Sequence, residues 1–188
     1  MTKKHIITIA GRPGSGKSIT SKTVATALGY DHFSSGDLFR KLGEEQGLDV
    51  LHTNLNAEQN KAIDVAVDER LRQIGDTQDN LVIDSRTAWH WIPQSFKVFL
   101  DLELDVAAQR IILNMDQERM LSENVPSNPH EYAVQLQERL DSETRRYRNL
   151  YEIDPYNTSN YDLVVDTDAN NVEQVVEIIQ KAYQDWRS

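Results

Sequence analysis

Residues 11–18 read G-R-P-G-S-G-K-S, which fits the glycine-rich phosphate-loop pattern G-x-x-x-x-G-K-[S/T]. In such a loop the backbone N–H groups surround a phosphate, the lysine reaches the terminal phosphates of a nucleoside triphosphate, and the last hydroxyl binds Mg²⁺. An apolar run precedes this loop and a helical pattern follows it, as the chemistry requires. We therefore predict an ATP site with Mg²⁺ as cofactor. Its predicted contact residues are Gly11, Pro13, Gly14, Ser15, Gly16, Lys17, Ser18 and Ile19.

Two residues are candidates for metal binding, Ser18 of the phosphate loop and Asp84. Asp84 ends an apolar run, as the carboxylate that follows a buried strand does in many nucleotide-binding proteins. We predict that Asp84 holds Mg²⁺ through water or orients the acceptor of the phosphoryl group. The alternative is a strand-end residue that caps the next turn.

Phosphoryl transfer requires positive charge around the migrating group, and the chain is rich in candidate cations. Arg139 and Arg146 are seven residues apart and share one helix face, whereas Arg145 lies about 100° away. One helix therefore cannot aim all three at a single point, and some are expected at the surface, where Arg145 could pair with Asp141. The candidates are Lys17, Arg40, Arg86, Arg110, Arg139, Arg145 and Arg146, with Arg119 and Arg148 more readily turned to solvent.

Short apolar runs alternate with helical patterns along the whole chain, which indicates a doubly wound α/β domain with a five-stranded parallel sheet. The ligand is then expected at the carboxyl ends of the strands. Predicted strands cover residues 5–10, 30–33, 81–84, 97–102 and 162–166. Predicted helices cover residues 18–28 and 56–74, a segment that starts after Asn128 with Pro129 in its first turn, and residues 172–186 after the start signals Asn170 and Glu173.

Composition excludes several classes of protein. The chain has 188 residues, a net charge of −10 and no cysteine, so a disulfide scaffold, a thiolate-bound metal and a cysteine nucleophile are ruled out. The negative charge argues against a binder of duplex DNA, and no apolar run approaches the roughly 18 residues of a membrane span. We expect one cytoplasmic, monomeric domain over residues 1–188, with neither nucleic acid nor membrane as partner.

Four further segments carry a resemblance to a known family. Residues 34–40 (SSGDLFR) resemble the S-[ST]-G-D-x-x-R segment of nucleoside monophosphate kinases. Residues 84–89 (DSRTAW), 139–147 (RLDSETRRY) and 161–167 (YDLVVDT) resemble segments of the archaeal-type cytidylate kinases. Together with the phosphate loop they occur in the family's order and span most of the chain. The resemblance implies the P-loop NTPase fold and transfer of the ATP γ-phosphoryl group to CMP or dCMP.

The resemblance also implies roles for individual residues. Ser35 would lie beside the acceptor base, and Arg40 and Arg86 would hold the acceptor phosphate. Arg110, Arg139 and Arg145 would close onto the migrating phosphoryl group from the side of the lid. The lid is expected at about residues 113–134 and the acceptor-binding segment at about residues 34–75. Asp68 could bond a base amino group or belong to a solvated helix face, whereas Trp89, Trp91 and Tyr147 could stack on a base or lie in the core. Ser85 and the pair His90-Trp91 depart from the family pattern.

Three alternatives stay open at this point. The Ser-Gly-Asp segment is shared with adenylate kinases, so AMP is a rival acceptor. A kinase of the same fold could phosphorylate another small metabolite. A nucleotide-binding sensor could keep the fold without turnover.

Overall fold

A computed structural model of the chain describes residues 4–45, 62–116, 120 and 125–188. Its centre is one five-stranded, all-parallel sheet with the strand order β2-β3-β1-β4-β5. The strands are β1 (Ile6–Gly11), β2 (Asp31–Ser34), β3 (Leu81–Asp84), β4 (Phe96–Asp101) and β5 (Leu163–Asp166). All five predicted strands are confirmed, with ends that differ from the predicted ones by at most one residue.

One or more helices lie between successive strands, and between β3 and β4 there is only a short one. They are α1 (Lys17–Leu28), α2 (Ser35–Glu45), α3 (Ala62–Thr77), α4 (Ala88–Trp91), α5 (Leu104–Asn114), α6 (Pro129–Tyr151) and α7 (Val172–Arg187), with a 3₁₀ turn at Thr158–Asn160. The first residues of the predicted helix 56–74, Arg119 and part of the predicted lid lie outside the described residues. In the part of the chain that the structure describes, no helix is both long and apolar enough to span a membrane.

Strand β1 is buried along its whole length because helices cover both faces of the sheet. Successive side chains of a strand point to opposite faces. Ile7 and Ile9 therefore pack in a cluster with α1 and α7, whereas Ile6 packs with α3 and α4 on the other face. The two cores hold β1 in the middle of the sheet, between β3 and β4.

The position of β1 also determines where a ligand can bind. After β1 and α1 the chain forms β2 and β3 on one side of β1, and it then crosses to form β4 and β5 on the other side. In sheets of this type the crevice at the carboxyl ends of the strands, where the order switches direction, is the ligand-binding place. The phosphate loop leads out of β1 into α1 at this point.

Helix α6 begins where the sequence predicts. The side-chain oxygen of Asn128 accepts a hydrogen bond from the backbone N–H of His130 at 2.9 Å, and Pro129 occupies the first turn. Its stripe of Tyr132, Leu136 and Leu140 is buried. Two of these three residues, Tyr132 and Leu136, belong to a third apolar cluster, shared with α5.

Helix α7 begins at a different signal from the predicted one. The N-cap is Asn171, whose side chain and that of Gln174 form a reciprocal capping box. Asn170 instead donates from its side chain to the carbonyl of Asp166 at 2.8 Å. Two consecutive asparagines offer the same capping group, so the start signal alone does not select between them.

The cap of α6 gives a prediction about stability. Asn128→Ala leaves the first turn without its side-chain acceptor, so we expect a loss of about 1 kcal/mol in the free energy of unfolding. For a chain of this size that corresponds to a melting temperature lower by about 2–4 °C. Ser127→Ala, at an exposed neighbouring position, is the control and should stay within about 0.5 kcal/mol of the parent. Equal melting curves for the parent and Asn128→Ala would contradict the assignment of this cap.

Candidate active site

The phosphate loop is a tight backbone turn that only glycine fits at two positions. Gly14 and Gly16 have φ angles of +73° and +77°, in the left-handed region. A Cβ atom on Gly14 would lie 3.1 Å from the backbone of Ala107 in α5, and one on Gly11 would lie 2.7 Å from the carbonyl oxygen of Leu100. The loop therefore lies directly against β4 and α5, with the N-terminal end of α1 beside it.

Ser15 gives the test of whether this loop fits a phosphate. Ser15 is buried, and its hydroxyl group has no hydrogen-bond partner within the described parts of the chain. A buried hydroxyl without a partner is costly. A phosphate oxygen inside the loop would supply that partner, so the loop residues fit the group that the sequence predicts.

Asp84 is the carboxylate around which the loop is organised. It is 2% exposed, contacts the Lys17 ammonium group, and accepts a hydrogen bond from the Ser18 hydroxyl at 2.7 Å. Burial lowers the pKa of Lys17, and the Asp84 charge opposes that change. Ser18 and Asp84 thus bring two oxygen ligands to one point beside a lysine, which fits a Mg²⁺ site of the predicted kind.

The start of α2 lies against the same carboxylate. Strand β2 pairs with β3 so that Ser34 is opposite Asp84, and the Ser35 hydroxyl donates to the Asp84 carbonyl oxygen at 3.2 Å. One turn further on, Arg40 forms an ion pair with Asp37 and remains half exposed. The structure therefore brings Ser35 to the phosphate loop, with Arg40 on the first turns of the adjoining helix.

Glu143 organises a second group of charges, and sequence reasoning missed it. Its carboxylate lies 3.0 Å from the Nε atom of Arg86 and accepts a hydrogen bond from Arg139 at 3.2 Å. Tyr156 donates its hydroxyl to Glu143 and accepts a hydrogen bond from Arg86 at 3.3 Å. The available signal was the spacing of four residues between Arg139 and Glu143 on one helix.

The ionisation of Glu143 follows from these contacts. Burial alone would raise the pKa of its carboxyl group, but the charges of Arg86 and Arg139 and the Tyr156 hydroxyl hold the pKa at about 2. The same carboxylate raises the pKa of Arg86. Arg86 and Arg139, which are both predicted to contact phosphate groups, therefore both pair with the Glu143 carboxylate.

Asp68 belongs to a buried network. It is 5% exposed and accepts hydrogen bonds from Thr87 at 3.2 Å, from the Trp91 indole at 2.8 Å and from the Tyr151 hydroxyl. The alternative that Asp68 lies on a solvated helix face is therefore wrong. Arg72 stacks on the Trp91 ring, 3.9 Å from its centroid, so this network joins α3, α4 and the end of α6.

The remaining predicted arginines lie in other surroundings. Arg110 donates to the Thr167 carbonyl oxygen at 2.9 Å, in the loop between β5 and α7. Arg145 is exposed on α6, and Arg148 pairs with Asp154 at 2.8 Å. Arg146 faces the interior, with its Nε atom 3.9 Å from the Asp64 carboxylate. The structure thus brings Arg86 and Arg139 together through Glu143. Arg145 is exposed, in agreement with the expectation that α6 cannot aim all of its arginines at a single point.

The other predicted positions show mixed exposure. Ile19 is 54% exposed in the first turn of α1, and Pro13 is half-buried in the phosphate loop. The Trp89 indole donates to the Arg86 carbonyl oxygen at 2.9 Å, and its ring packs on Tyr161. Tyr147 is buried. Through these two contacts, Trp89 stabilises the segment between β3 and α4 that contains Arg86.

Comparison with known proteins gives a consistent result. Residues 10–125 match the family described as "AAA domain". The cytidylate kinase of Haloarcula marismortui is 38% identical over 96% of this chain and 90% of its own length. The cytidylate kinase of Methanosphaera stadtmanae is 32% identical over 95% of this chain and 98% of its own.

Solved structures show the same fold. A shikimate kinase from Bacteroides thetaiotaomicron superposes with a TM-score of 0.63 at 17% identity, covering 95% of this chain and 98% of that one. A gluconokinase from Sinorhizobium meliloti gives a TM-score of 0.55 at 18% identity, covering 94% and 90%. At these identities the likeness extends to the fold alone.

Glu143 gives a prediction about pH dependence. Its pKa in the folded chain, about 2, is below the ordinary value of 4.5, so its contribution to stability is present above pH 4.5 and is lost as the pH falls towards 2. Glu143→Gln removes that contribution. We expect urea unfolding to give a difference between the parent and the variant that is largest at neutral pH and shrinks by about 3 kcal/mol towards pH 2.

The control is Asp141→Asn, an exposed carboxylate two residues away on the same helix. Its difference from the parent should be small at every pH. A difference for Glu143→Gln that stays constant from pH 7 to pH 3 would refute the ionised, paired state of Glu143.

Proposed function

The chain belongs to the cytidylate kinase family of P-loop kinases, and from that premise we propose that it transfers the γ-phosphoryl group of ATP to CMP or dCMP. The observation that carries this proposal is the match to curated cytidylate kinases over nearly the whole chain. The phosphate loop, with Lys17 and Ser18 on the buried Asp84 carboxylate, supports the donor half of the reaction.

The residues of the phosphate loop would hold the donor. The backbone of Gly11 to Gly16 surrounds the space for a phosphate, and Lys17 supplies the positive charge next to it. Ser18 and Asp84 would hold Mg²⁺, which when bound neutralises charge on the terminal phosphates. Pro13 and Ile19 would border this donor site.

The acceptor would bind on the other side of Asp84. Ser35 contacts the Asp84 carbonyl oxygen, and Arg40 and Arg86 flank this position along the chain, so we assign the acceptor phosphate to these two arginines. An oxygen of that phosphate forms the new bond to the γ-phosphorus, and the bond to the bridging oxygen breaks to release ADP. The attacking oxygen is already ionised at neutral pH, so the reaction does not require a general base.

Closure of the arginine-bearing elements would complete the site. Arg139 lies close to Arg86 through Glu143, and we assign Arg139, Arg110 and Arg145 to the stabilisation of the migrating group. A lid at about residues 113–134 closing over an acceptor segment at about 34–75 would exclude water and so suppress hydrolysis of ATP. We propose that one monomeric, cytoplasmic domain over residues 1–188 does this, without nucleic acid or membrane as partner.

The direct test measures ADP formation from Mg²⁺-ATP with CMP, dCMP, UMP, AMP and GMP supplied separately, against a blank without acceptor. We expect strong stimulation by CMP or dCMP and slow hydrolysis in the blank. Lys17→Ala should lower the rate by at least about 100-fold, because it removes charge from the transferred group. Lys22→Ala, an exposed position on α1, is the matched control. A flat response to all five acceptors would refute the proposal.

Arg40 gives a separate prediction for the acceptor half. Arg40→Ala removes a cation from the acceptor phosphate, so we expect KM for CMP to rise about 10- to 100-fold while KM for ATP changes less than about twofold. Lys41→Ala, at the exposed adjacent position, should leave both constants near those of the parent. Equal increases in both constants for Arg40→Ala would remove this residue from the acceptor site.

A further inference from the structure

The buried Asp68 carboxylate has no role in the scheme above, and it divides its hydrogen bonds between two parts of the molecule. Oδ1 accepts from the Thr87 hydroxyl at 3.2 Å and from the Trp91 indole at 2.8 Å. Both donors belong to the segment that leaves β3 and forms α4. Oδ2 accepts from the Tyr151 hydroxyl, at the end of α6. One carboxylate on α3 therefore holds the segment after β3 with one oxygen and α6 with the other.

The bond from Thr87 to Asp68 takes the place of a local one. Thr87 is the N-cap residue of α4, a position at which a threonine hydroxyl ordinarily accepts a hydrogen bond from the first turn of its own helix. Among the described residues, this hydroxyl makes no such capping bond. It is donated to α3 instead. A tertiary contact therefore uses the group that would otherwise cap α4, and it ties the start of α4 to α3.

Arg86 lies directly before Thr87, so the same contact bears on the position of this arginine. The Arg86 guanidinium group pairs with Glu143 on α6, and its backbone carbonyl accepts from the Trp89 indole on α4. The bond between Thr87 and Asp68 adds a tie to α3, the helix that lies within the segment assigned to the acceptor. The distance between Arg86 and the acceptor-binding segment is therefore set in part by one buried hydrogen bond.

The surroundings of Asp68 strengthen its hydrogen bonds. Asp68 is 5% exposed and Thr87 is 4% exposed, so water competes little for either group. Burial raises the pKa of Asp68, whereas the three donated hydrogen bonds and the charge of Arg72 lower it. All three contacts are donated to the carboxylate, which matches its ionised form. Because a hydrogen bond to a charged group is stronger than one between neutral groups, we expect the loss of the Thr87 donor to displace the segment that carries it.

We propose that Asp68 is a positioning residue for the acceptor phosphate: through the Thr87 hydroxyl it sets where Arg86 lies relative to α3. This inference rests on the proposed function, in which Arg86 holds that phosphate. Asp68 acts through protein donors and does not itself touch the acceptor. Binding of an anion by Arg86 requires the guanidinium group to be in place beforehand. Loss of the tie should therefore weaken the binding of CMP and leave the binding of ATP, at the phosphate loop, nearly unchanged.

The test measures dissociation constants by titration calorimetry, separately for CMP and for Mg²⁺-ATP. Thr87→Val keeps the volume of the side chain and removes the donor. We expect Kd for CMP to rise about 3- to 10-fold and Kd for ATP to change less than about twofold. Thr87→Ser keeps the hydroxyl, so its Kd for CMP should stay within about twofold of the parent's. Equal weakening of both ligands by Thr87→Val, or a Thr87→Ser protein as weak as Thr87→Val, would overturn the proposal.

Tyr151→Phe is the matched control, because it removes a donor to the same carboxylate from the other side. Tyr151 bonds Oδ2 and lies on α6, away from the segment that carries Arg86. The variant should lower the melting temperature and keep Kd for CMP within about twofold of the parent's. A rise in Kd for CMP equal to that of Thr87→Val would assign the effect to general loosening around Asp68 and overturn the proposal.

A double-mutant cycle tests whether Thr87 acts through Arg86. Arg86→Ala removes the phosphate contact itself, so adding Thr87→Val to it should raise Kd for CMP by less than about a further twofold. A full additional rise in the double variant would mean that Thr87 acts without Arg86, and it would overturn the proposal. The cycle changes Thr87 and not Asp68, because removal of a buried carboxylate leaves three donors without an acceptor and endangers the fold.

The outcomes distinguish failure of the positioning role from failure of the proposed function. If the parent binds and phosphorylates CMP and Thr87→Val binds it equally well, the positioning role of Asp68 is overturned and the kinase function stands. If the parent neither binds CMP nor phosphorylates any nucleoside monophosphate, the proposed function fails, and the inference fails with it.

Discussion

The ion pair between Lys17 and Asp84 is the interaction on which the rest of the site depends. A carboxylate that is 2% exposed requires a cation and further donors, and Lys17 and Ser18 supply both. They can do so because β1 and β3 are neighbours in register, with Ile9 opposite Asp84, and because the loop after β1 folds back over that edge. Satisfying one buried charge therefore puts the phosphate loop, the side-chain oxygens of Ser18 and Asp84, and the start of α2 at the same point.

A protein with a net charge of −10 must bind anionic substrates through local cations. In the structure each cation that we assign to phosphate binding is paired with a carboxylate: Lys17 with Asp84, Arg40 with Asp37, and Arg86 and Arg139 with Glu143. Under the proposed assignment, these carboxylates hold the cations in position before a phosphate arrives and so reduce the reorganisation that binding requires.

Local signals in the sequence were sufficient for the positions of the strands, the phosphate loop and the cap of α6, because each of these depends on residues close together along the chain. The partners of the buried charges were not accessible in this way. Arg86 and Glu143 are 57 residues apart, and Asp68 meets Tyr151 only where α3 packs near the end of α6. From the sequence alone, a charged residue on a helix is expected to face solvent, because the element that covers it is not known. For this reason Asp68 allowed two interpretations, and the contacts of Glu143 and Asp64 were missed.

The central claim is that the γ-phosphoryl group passes to a nucleoside monophosphate and not to water. The most direct measurement is a single turnover of the protein with ATP labelled in the γ-phosphate, in the presence of Mg²⁺ and CMP, followed by separation of the products. We expect the label to be recovered in CDP, with little in inorganic phosphate. Label that appears in inorganic phosphate at the same rate with and without CMP would contradict it.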